Sequence, residues 1–573
     1  MKQTLKLIPE PFRRRGIGVA FSLFVKAGLN LVGLAMLLPV LALALDPDSL
    51  TGEGYMARCY EALGFHSTKQ FAWFTAGVIV GVIALKSLLT IALSRIERRY
   101  IYDLYATLSR RLYTTYHRRG LPFIKSQNSA VLARNVNVVC LSFTAGVLKP
   151  AATILSETML LVLLFSALAL YAPLASLLTI AIFFPSMWGY WRYVRRRINR
   201  YGEEENRAQR EKSRVVAETF RGFTDVELND AFPMMLRRFE RSMQEVVRTR
   251  SKEADIALLP QVVTEMGLAV GIALLAALSL SLNMAEGSSQ MLFGVFAVAA
   301  IRLMPSVRNI LSSWTTIRYN RYTIQILKDA PTEEPIEEQM QQIAPLKFTQ
   351  QIEIRDLQFR FWDGEEELFD GLNLTIHKGE HIGFRGVSGA GKTTLFNLLL
   401  GFYTPTGGEI VIDGVRLTKE NRRAWQQRVG YVSQSLFLTD GTFAQNVALG
   451  LADEAIDRKR VEEVLEMAQL GDFVRSLAKG IDTPVGECGC RLSGGQRQRI
   501  GIARALYRHA DVLFFDEATS SLDSATEQEI NHSIARLASE NKALTLLVIA
   551  HRETSLEACD RIITIDSTLS DHA

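Results

Sequence analysis

The run His381–Phe402, HIGFRGVSGAGKTTLFNLLLGF, decides how the rest of the chain is read. A short apolar stretch, HIGF, enters a glycine-rich loop, and a helical apolar pattern, TLFNLLLGF, leaves it. The loop itself, GVSGAGKTT (Gly386–Thr394), fits G-x-x-x-x-G-K-[ST] in the strand-to-helix setting that this pattern requires. Gly386, Gly389 and Gly391 let backbone N–H groups turn inward on β- and γ-phosphates, and Ser388 and Thr394 complete the cradle. Lys392 supplies a point charge and Thr393 a hydroxyl for Mg2+.

The α/β texture around this loop begins at Gln351, where β-branched and aromatic runs such as IEIRDLQFRF and VLFFDE alternate with helical patterns. VLFFDEATSSLD reads as a buried strand ending in Asp516, whose carboxylate can reach the Mg2+ water shell. Glu517, one residue on, is placed to polarise an attacking water. His551 caps the apolar run LLVIA and can contact the γ-phosphate, and Gln434 of YVSQ is a candidate sensor beside Mg2+.

The other half of the chain is different material. Charged residues make up 22% of the 573, but they are missing from long N-terminal windows. Six windows meet the requirement of about 20 mostly apolar residues to cross a bilayer: 17–44, 70–94, 143–171, 173–192, 256–283 and 289–312. The cationic start, MKQTLKLIPEPFRRRG, runs into the first window without a small-residue cleavage site, so it reads as a membrane span rather than a removed signal. Basic residues gather in the N-terminal segment (Arg13–Arg15) and in loops 95–142 and 193–255, including WRYVRRRINR (Trp191–Arg200). By the positive-inside rule both termini and both long loops are cytoplasmic, and the protein sits in the inner membrane. A net charge of +5 is too small to argue for nucleic acid. The five cysteines (Cys59, Cys140, Cys488, Cys490, Cys559) lack zinc spacing and read as free thiols.

The two long loops are charged and nearly free of Pro and Gly, which predicts that the spans continue into the cytosol as helical levers of about 25 residues, on the order of 35 Å each. Each has a break midway, at Gly120–Ala130 and Thr219–Leu228. Within the spans, Lys26, Lys86 and Arg302 each fall eight to eleven residues from the cytoplasmic end, which suits a cationic level for an anionic headgroup. Snorkelling, or pairing with Glu157 and Glu265, is the equally weighted alternative. Ser49–Phe65 can form an external amphipathic helix. A Pro-punctuated, Glu/Gln-rich linker then divides the chain into residues 1–327, 328–350 and 351–573.

The phosphate loop, Gln434, LSGGQ (Leu492–Gln496), Asp516–Glu517, SSLD (Ser520–Asp523) and His551 occur in the order and spacing of ATP-binding cassette nucleotide-binding domains, and six spans ahead of one such domain resemble an exporter-type half-transporter. The resemblance implies an all-α six-helix transmembrane domain fused to an α/β P-loop domain. It also implies ATP and Mg2+ as ligands, Glu517 and His551 in catalysis, and adenine stacking on Phe361, where relatives usually carry Tyr. Two copies would join head to tail, with Ser493, Gly494, Gly495 and Gln496 of one chain closing on the ATP held by the other, and Asp523 is a further nucleotide-binding residue. LSGGQRQRIGIARAL has a helical apolar pattern, so Ser493 and its glycines would stand at a helix N-terminus. Arg497 and Arg499 read as packing or salt-bridge residues. Cys488 replaces an Arg common in relatives.

Within the exporter type, MLLPVLALALDP and Ile301–Trp314 look like the bacterial flippases for lipid-linked oligosaccharides. This implies ATP-driven flipping of an anionic lipid-linked substrate by alternating access, with lipid A, peptide or drug export as the alternative. The expected partners are a second copy of the chain, the lipid bilayer and an amphipathic substrate, and no nucleic acid.

Overall fold

A computed structural model of the chain describes residues 7–36, 60, 62–65, 67–171, 173–281, 286–328, 346–361, 367–517, 525–530, 532, 543–550, 552, 556–557 and 559–565. The chain divides into two compact units, Met1–Glu334 and Pro335–Ala573.

The first unit is helical. Its long elements are α1 (Glu10–Ala35), α2 (Thr68–Arg118), α3 (Lys149–Tyr171), α4 (Pro173–Arg221), α5 (Phe232–Ser281) and α6 (Glu286–Tyr319). The lengths of 51, 49 and 50 residues for α2, α4 and α5 mean that these helices run well past the apolar windows, as the poverty of Pro and Gly in the loops predicts. Among the described residues, four segments are long and apolar enough to cross a membrane: Glu10–Gly33, Lys69–Arg118, Ser129–Ser166 and Phe232–Leu274. The other two windows of the sequence fall on α4 and α6. At the two predicted breaks the tip is itself helical, Gly120–Ser126 and Phe223–Leu228. Gly120 (φ +76°) and Asp230 (φ +46°) turn the chain at these sites, a sharper change of direction than an open loop would give. Between the first tip and α3 two π-helical turns, Asn135–Val139 and Thr144–Leu148, precede Pro150, a residue with no N–H to give to a regular helix.

Polar groups stitch these helices together. Glu157 of α3 accepts from Ser306 Oγ (2.7 Å) and Asn309 Nδ2 (2.9 Å) of α6. Tyr190 of α4 shares a 2.7 Å hydrogen bond with Thr315 of α6. Arg238 of α5 reaches Glu211 (2.8 Å) and Glu218 (3.4 Å) of α4. Where α4 and α6 come closest, Gly202 lies on the backbone carbonyl of Tyr319, so that any side chain at 202 would collide with it.

Lys26 and Lys86 make contacts at different depths. Lys26 Nζ is 3.5 Å from Glu97 Oε2, which lies three residues beyond the apolar window of α2. Lys86 packs its amine against Gly33 of α1. Gly33 and Lys26 are seven residues apart, or about 10 Å at 1.5 Å per residue, so Lys26 reaches the cytosol-side edge of α2 while Lys86 lies deeper. Glu265 accepts from Gln261 at 2.9 Å on its own helix. The side chain of Arg302 lies outside the described residues, as do residues 49–59 of the proposed external helix and Cys59.

The second unit holds two sheets. β1 (Gln351–Phe359), β2 (Phe369–His377), β4 (Gly407–Ile412) and β5 (Val415–Arg416) form an antiparallel sheet in the order β2-β1-β4-β5. β3 (His381–Arg385), β6 (Val429–Val432), β7 (Val512–Asp516), β8 (Thr545–Ile549) and β9 (Arg561–Thr564) form a parallel sheet in the order β6-β7-β8-β3-β9. All five residues of β7 are buried, which explains its unbroken apolar run. Helix α7 (Lys392–Leu399) follows β3, and its Phe396 meets Phe384 and Phe514 edge-on at 5.6 and 5.0 Å. Helices α8 (Arg458–Met467) and α9 (Gly494–Tyr507) share a core that includes Val461, Val464, Ile500 and Ala503.

Replacing Gly202 with Ala should push α4 from α6 and lower stability by about 1–3 kcal/mol, the usual cost of overpacking. Thermal unfolding of the full chain in detergent measures it; an unchanged midpoint would show that the helices separate freely.

Candidate functional site

The loop after β3 owes its shape to its glycines. Gly386, Gly389 and Gly391 have φ of +157°, +88° and +92°, values that L side chains resist. A Cβ at 386 would strike the Ile565 carbonyl, and one at 391 would sit 2.9 Å from the Phe369 ring. Lys392 begins α7, nearly buried, with Nζ donating to the carbonyls of Gly386 (2.8 Å) and Val387 (2.9 Å). The ammonium is thus folded back into the loop, where it waits on weak carbonyl acceptors.

Beside it, Thr393 Oγ1 donates to Asp516 Oδ1 at 3.0 Å, and Tyr431 OH donates to Asp516 Oδ2 at 3.2 Å. Asp516 is 1% exposed, and burial holds its pKa above the ordinary carboxylate value despite these two donors. A buried hard-oxygen carboxylate paired with a hydroxyl, and with no ion pair among the described residues, suits Mg2+. The glycine cradle suits a phosphate chain. Both groups therefore fit the residues present.

Glu517 stands at φ +50°, a strained setting for a non-glycine residue. Its N–H donates to the Ile549 carbonyl at 3.0 Å, which fixes the turn. Gln434, two residues beyond β6, donates through Nε2 to Glu517 Oε2 at 2.7 Å. Lys392, Thr393, Gln434, Asp516 and Glu517 are thus brought together from three adjoining segments. Phe361 stands edge-on to Phe359 (5.2 Å) and Tyr403 (5.9 Å). His551, Asp523 and Trp362 lie outside the described residues. Sequence reading passes over Tyr431 and Tyr403. Tyr431 lies in the same YVSQ run as Gln434, but its role depends on β6 pairing with β7, where Tyr431 is opposite Phe514.

The LSGGQ segment opens α9. Ser493 Oγ accepts from the Gln496 N–H (3.2 Å), while Gln496 Oε1 accepts from the Ser493 N–H (2.9 Å). This capping box starts the helix at Gly494 and leaves the other first-turn N–H groups as an anion-seeking end. Arg497 donates to the Leu492 carbonyl (3.4 Å) and Arg499 to the Gln469 carbonyl (2.7 Å), so both guanidiniums bind backbone. Cys488 and Cys490 are exposed free thiols. Gly501 of α9 packs against Leu436 and Val432, which sets the helix at the β6 edge. The phosphate loop hangs from β3, three strand spacings across the sheet, or about 14 Å.

Apolar spans joined to a P-loop nucleotide domain define a membrane-embedded ATPase. Residues 369–520 match the family model described as ABC transporter. The chain is 34% identical to the ATP-dependent lipid A-core flippase of Bordetella avium over 423 residues, which cover 72% of this chain and 70% of that protein. It is 30% identical over 505 residues to the flippase of the same description in Cupriavidus metallidurans, covering 86% and 82%. With its counterpart in Bordetella pertussis it shares 29% identity over 96% of this chain and 86% of that one. Its fold matches a bacterial Atm1-family ABC exporter with ATP bound (TM-score 0.77, 23% identity, covering 97% of this chain and 94% of that one). The chain belongs to the ATP-binding cassette transporters, as an exporter-type half-transporter.

Ionising Asp516 costs the empty fold stability. The folded pKa is raised, so the cost is absent below the unfolded carboxylate value and present in full at neutral pH. Asp516→Asn should therefore leave the midpoint of the nucleotide-free protein unchanged or raise it at pH 7. The same variant should lose the Mg–ATP stabilisation, about 2.7 kcal/mol at a hundred times Kd. Scanning calorimetry with and without Mg–ATP measures both; retained Mg–ATP stabilisation would remove Asp516 from the metal site.

Proposed function

We propose that two copies of the chain form a head-to-tail dimer that flips an anionic, lipid-anchored glycan across the inner membrane, with both termini in the cytoplasm. The observation that carries this reading is the 2.7 Å contact between Gln434 and Glu517. It ties the candidate water-activating carboxylate to a polar side chain two residues beyond the neighbouring strand β6, in a chain whose relatives across most of its length are lipid flippases.

Bound Mg–ATP supplies the phosphoanhydride whose cleavage drives the cycle. Lys392 exchanges the Gly386 and Val387 carbonyls for phosphate oxygens, a stronger charge-assisted pairing. Thr393 and Asp516 would hold Mg2+, with Gln434 as a further candidate ligand. Glu517 takes the proton of the attacking water, and His551 contacts the γ-phosphate. Phe361 stacks on adenine. Ser493, Gly494, Gly495 and Gln496 serve the partner's nucleotide, and Asp523 is a further nucleotide-binding residue. One chain carries Glu517, His551 and an unaltered LSGGQ, so identical copies make two competent sites. Closure passes to α2, α4 and α5 through the tips near Ser126–Ala133 and Thr219–Leu228, and the spans alternate their access.

The substrate is a glycan on a phosphorylated lipid. A polyprenyl-linked oligosaccharide and lipid A both meet that description, and the flippase relatives favour lipid A. Lys86, deep in α2, is the strongest of the intramembrane cations for headgroup contact, with Lys26 and Arg302 as further candidates.

Glu517→Gln should lower ATP turnover about 100-fold or more while ATP still binds; turnover at the normal rate in liposomes removes Glu517 from catalysis. Stimulation of turnover by polyprenyl pyrophosphate glycan against lipid A, in the same liposomes, separates the two substrates. Stimulation by neither, with stimulation by a cationic drug, overturns the lipid reading.

A further inference from the structure

Three arginines of α4 lie over aromatic rings one turn earlier on the helix: Arg192 over Trp188 at 6.0 Å, Arg195 over Trp191 at 4.9 Å, and Arg197 over Tyr193 at 4.1 Å. On α6, Arg318 lies over Trp314 at 5.4 Å. The two series meet where the Trp191 and Trp314 rings approach to 6.5 Å. Arg195 and Arg318, from separate helices, therefore share one patch, and Arg321 follows Arg318 by one turn.

This is an expensive arrangement. Arg318 is half-buried, and its pKa is lowered first by that burial, then by Arg321 and Arg195. Other arginines of the unit do meet carboxylates, as Arg238 does Glu211 and Arg250 does Glu205. Among the described residues none of Arg195, Arg318 and Arg321 has a carboxylate in ion-pair range. Stacking on Trp takes up the guanidinium faces and leaves their N–H edges to other acceptors. Two guanidiniums brought together by the Trp191–Trp314 contact, with Arg321 acting on Arg318, and with no carboxylate in ion-pair range among the described residues, are matched by a tetrahedral, multiply charged anion. The setting favours a lipid as its source. Arg195 is three residues past the apolar window of α4, and Trp188 and Tyr193 are 56% and 54% exposed, as interfacial aromatics are.

We infer that Arg195, Arg318 and Arg321 form a binding site for the phosphate of a lipid headgroup in the cytosolic leaflet, walled by Trp191 and Trp314. The inference rests on the flipping reading only for the leaflet and for the lipid as source. At this site the headgroup is gripped at the level of the membrane surface before any transfer past Lys86.

The test uses the full-length dimer in nanodiscs of phosphatidylcholine doped with spin-labelled phosphatidate or spin-labelled phosphatidylcholine. The wild type should hold phosphatidate in the motionally restricted fraction roughly tenfold more strongly than phosphatidylcholine, the scale of a charge-assisted pairing. Arg195→Gln/Arg318→Gln/Arg321→Gln should abolish that preference while basal ATP turnover continues, and Arg192→Gln/Arg197→Gln should keep it. Arg321→Gln alone, at an exposed position, should weaken it several-fold and guards against misfolding of the triple variant. A preference that survives the triple substitution overturns the site. Full displacement of phosphatidate by millimolar inorganic phosphate overturns the lipid as its source. Should phosphatidate be retained while no anionic lipid is translocated with ATP, the flipping reading fails and this site stands.

Discussion

The hydrogen bond from Thr393 to Asp516 joins residues 123 apart in sequence, and the nucleotide half of the molecule is arranged around it. Asp516 ends a strand buried along its whole length, so its carboxylate faces a dry interior with only two hydroxyl donors, Thr393 and Tyr431. Neither donor neutralises it. A buried charge of this kind is costly until a cation arrives, and the fold tolerates it because β3, α7 and β7 are locked by the Phe384–Phe396–Phe514 stack behind it. Glu517, next in the chain, inherits a strained backbone and an outward-facing carboxylate from the same strand end. Two adjacent acids thus acquire different work from their positions alone: one is held dry and paired with a hydroxyl, the other is turned toward Gln434.

The membrane unit follows a related rule with a different solvent. Helices that share a lipid environment gain little from apolar contact with one another and rely on close packing and polar links. Glu157 against Ser306 and Asn309, and Tyr190 against Thr315, are polar links of this kind. Farther out on α4 and α5 they give way to ion pairs such as Arg238 with Glu211, consistent with a lever surrounded by water. The change in bonding marks where the spans become levers.

What the sequence makes legible is what is local. The phosphate loop, β7 ending in Asp516, the helix start at Ser493 and the long uninterrupted helices each follow from residues within one or two turns of one another. Counting depth along each span separately puts Lys26 and Lys86 at one level. The antiparallel pairing of α1 with α2, which brings Lys26 to Glu97 and Lys86 to Gly33, cannot be counted that way. Tyr431 was passed over for the same reason, since its role depends on which strand neighbours which. Arg195 lies in the block Trp191–Arg200, which serves only to orient the chain, and Arg318 belongs to no motif of the sequence. Their convergence needed the contact between Trp191 and Trp314.

The order β6-β7-β8-β3-β9 carries one further consequence. The phosphate loop hangs from β3, whereas the LSGGQ helix packs on β6, three spacings away. A triphosphate chain gripped by Gly386–Thr394 cannot also reach a helix N-terminus about 14 Å across the sheet. Yet Ser493 and Gln496 spend their side chains on the capping box, which aims the remaining N–H groups of that turn outward. A helix end so prepared and so far from its own loop needs an anion from elsewhere. In the proposed head-to-tail dimer a second copy rotated by half a turn would bring each helix end to the other's loop, so that one sheet order, repeated, would close both sites at once.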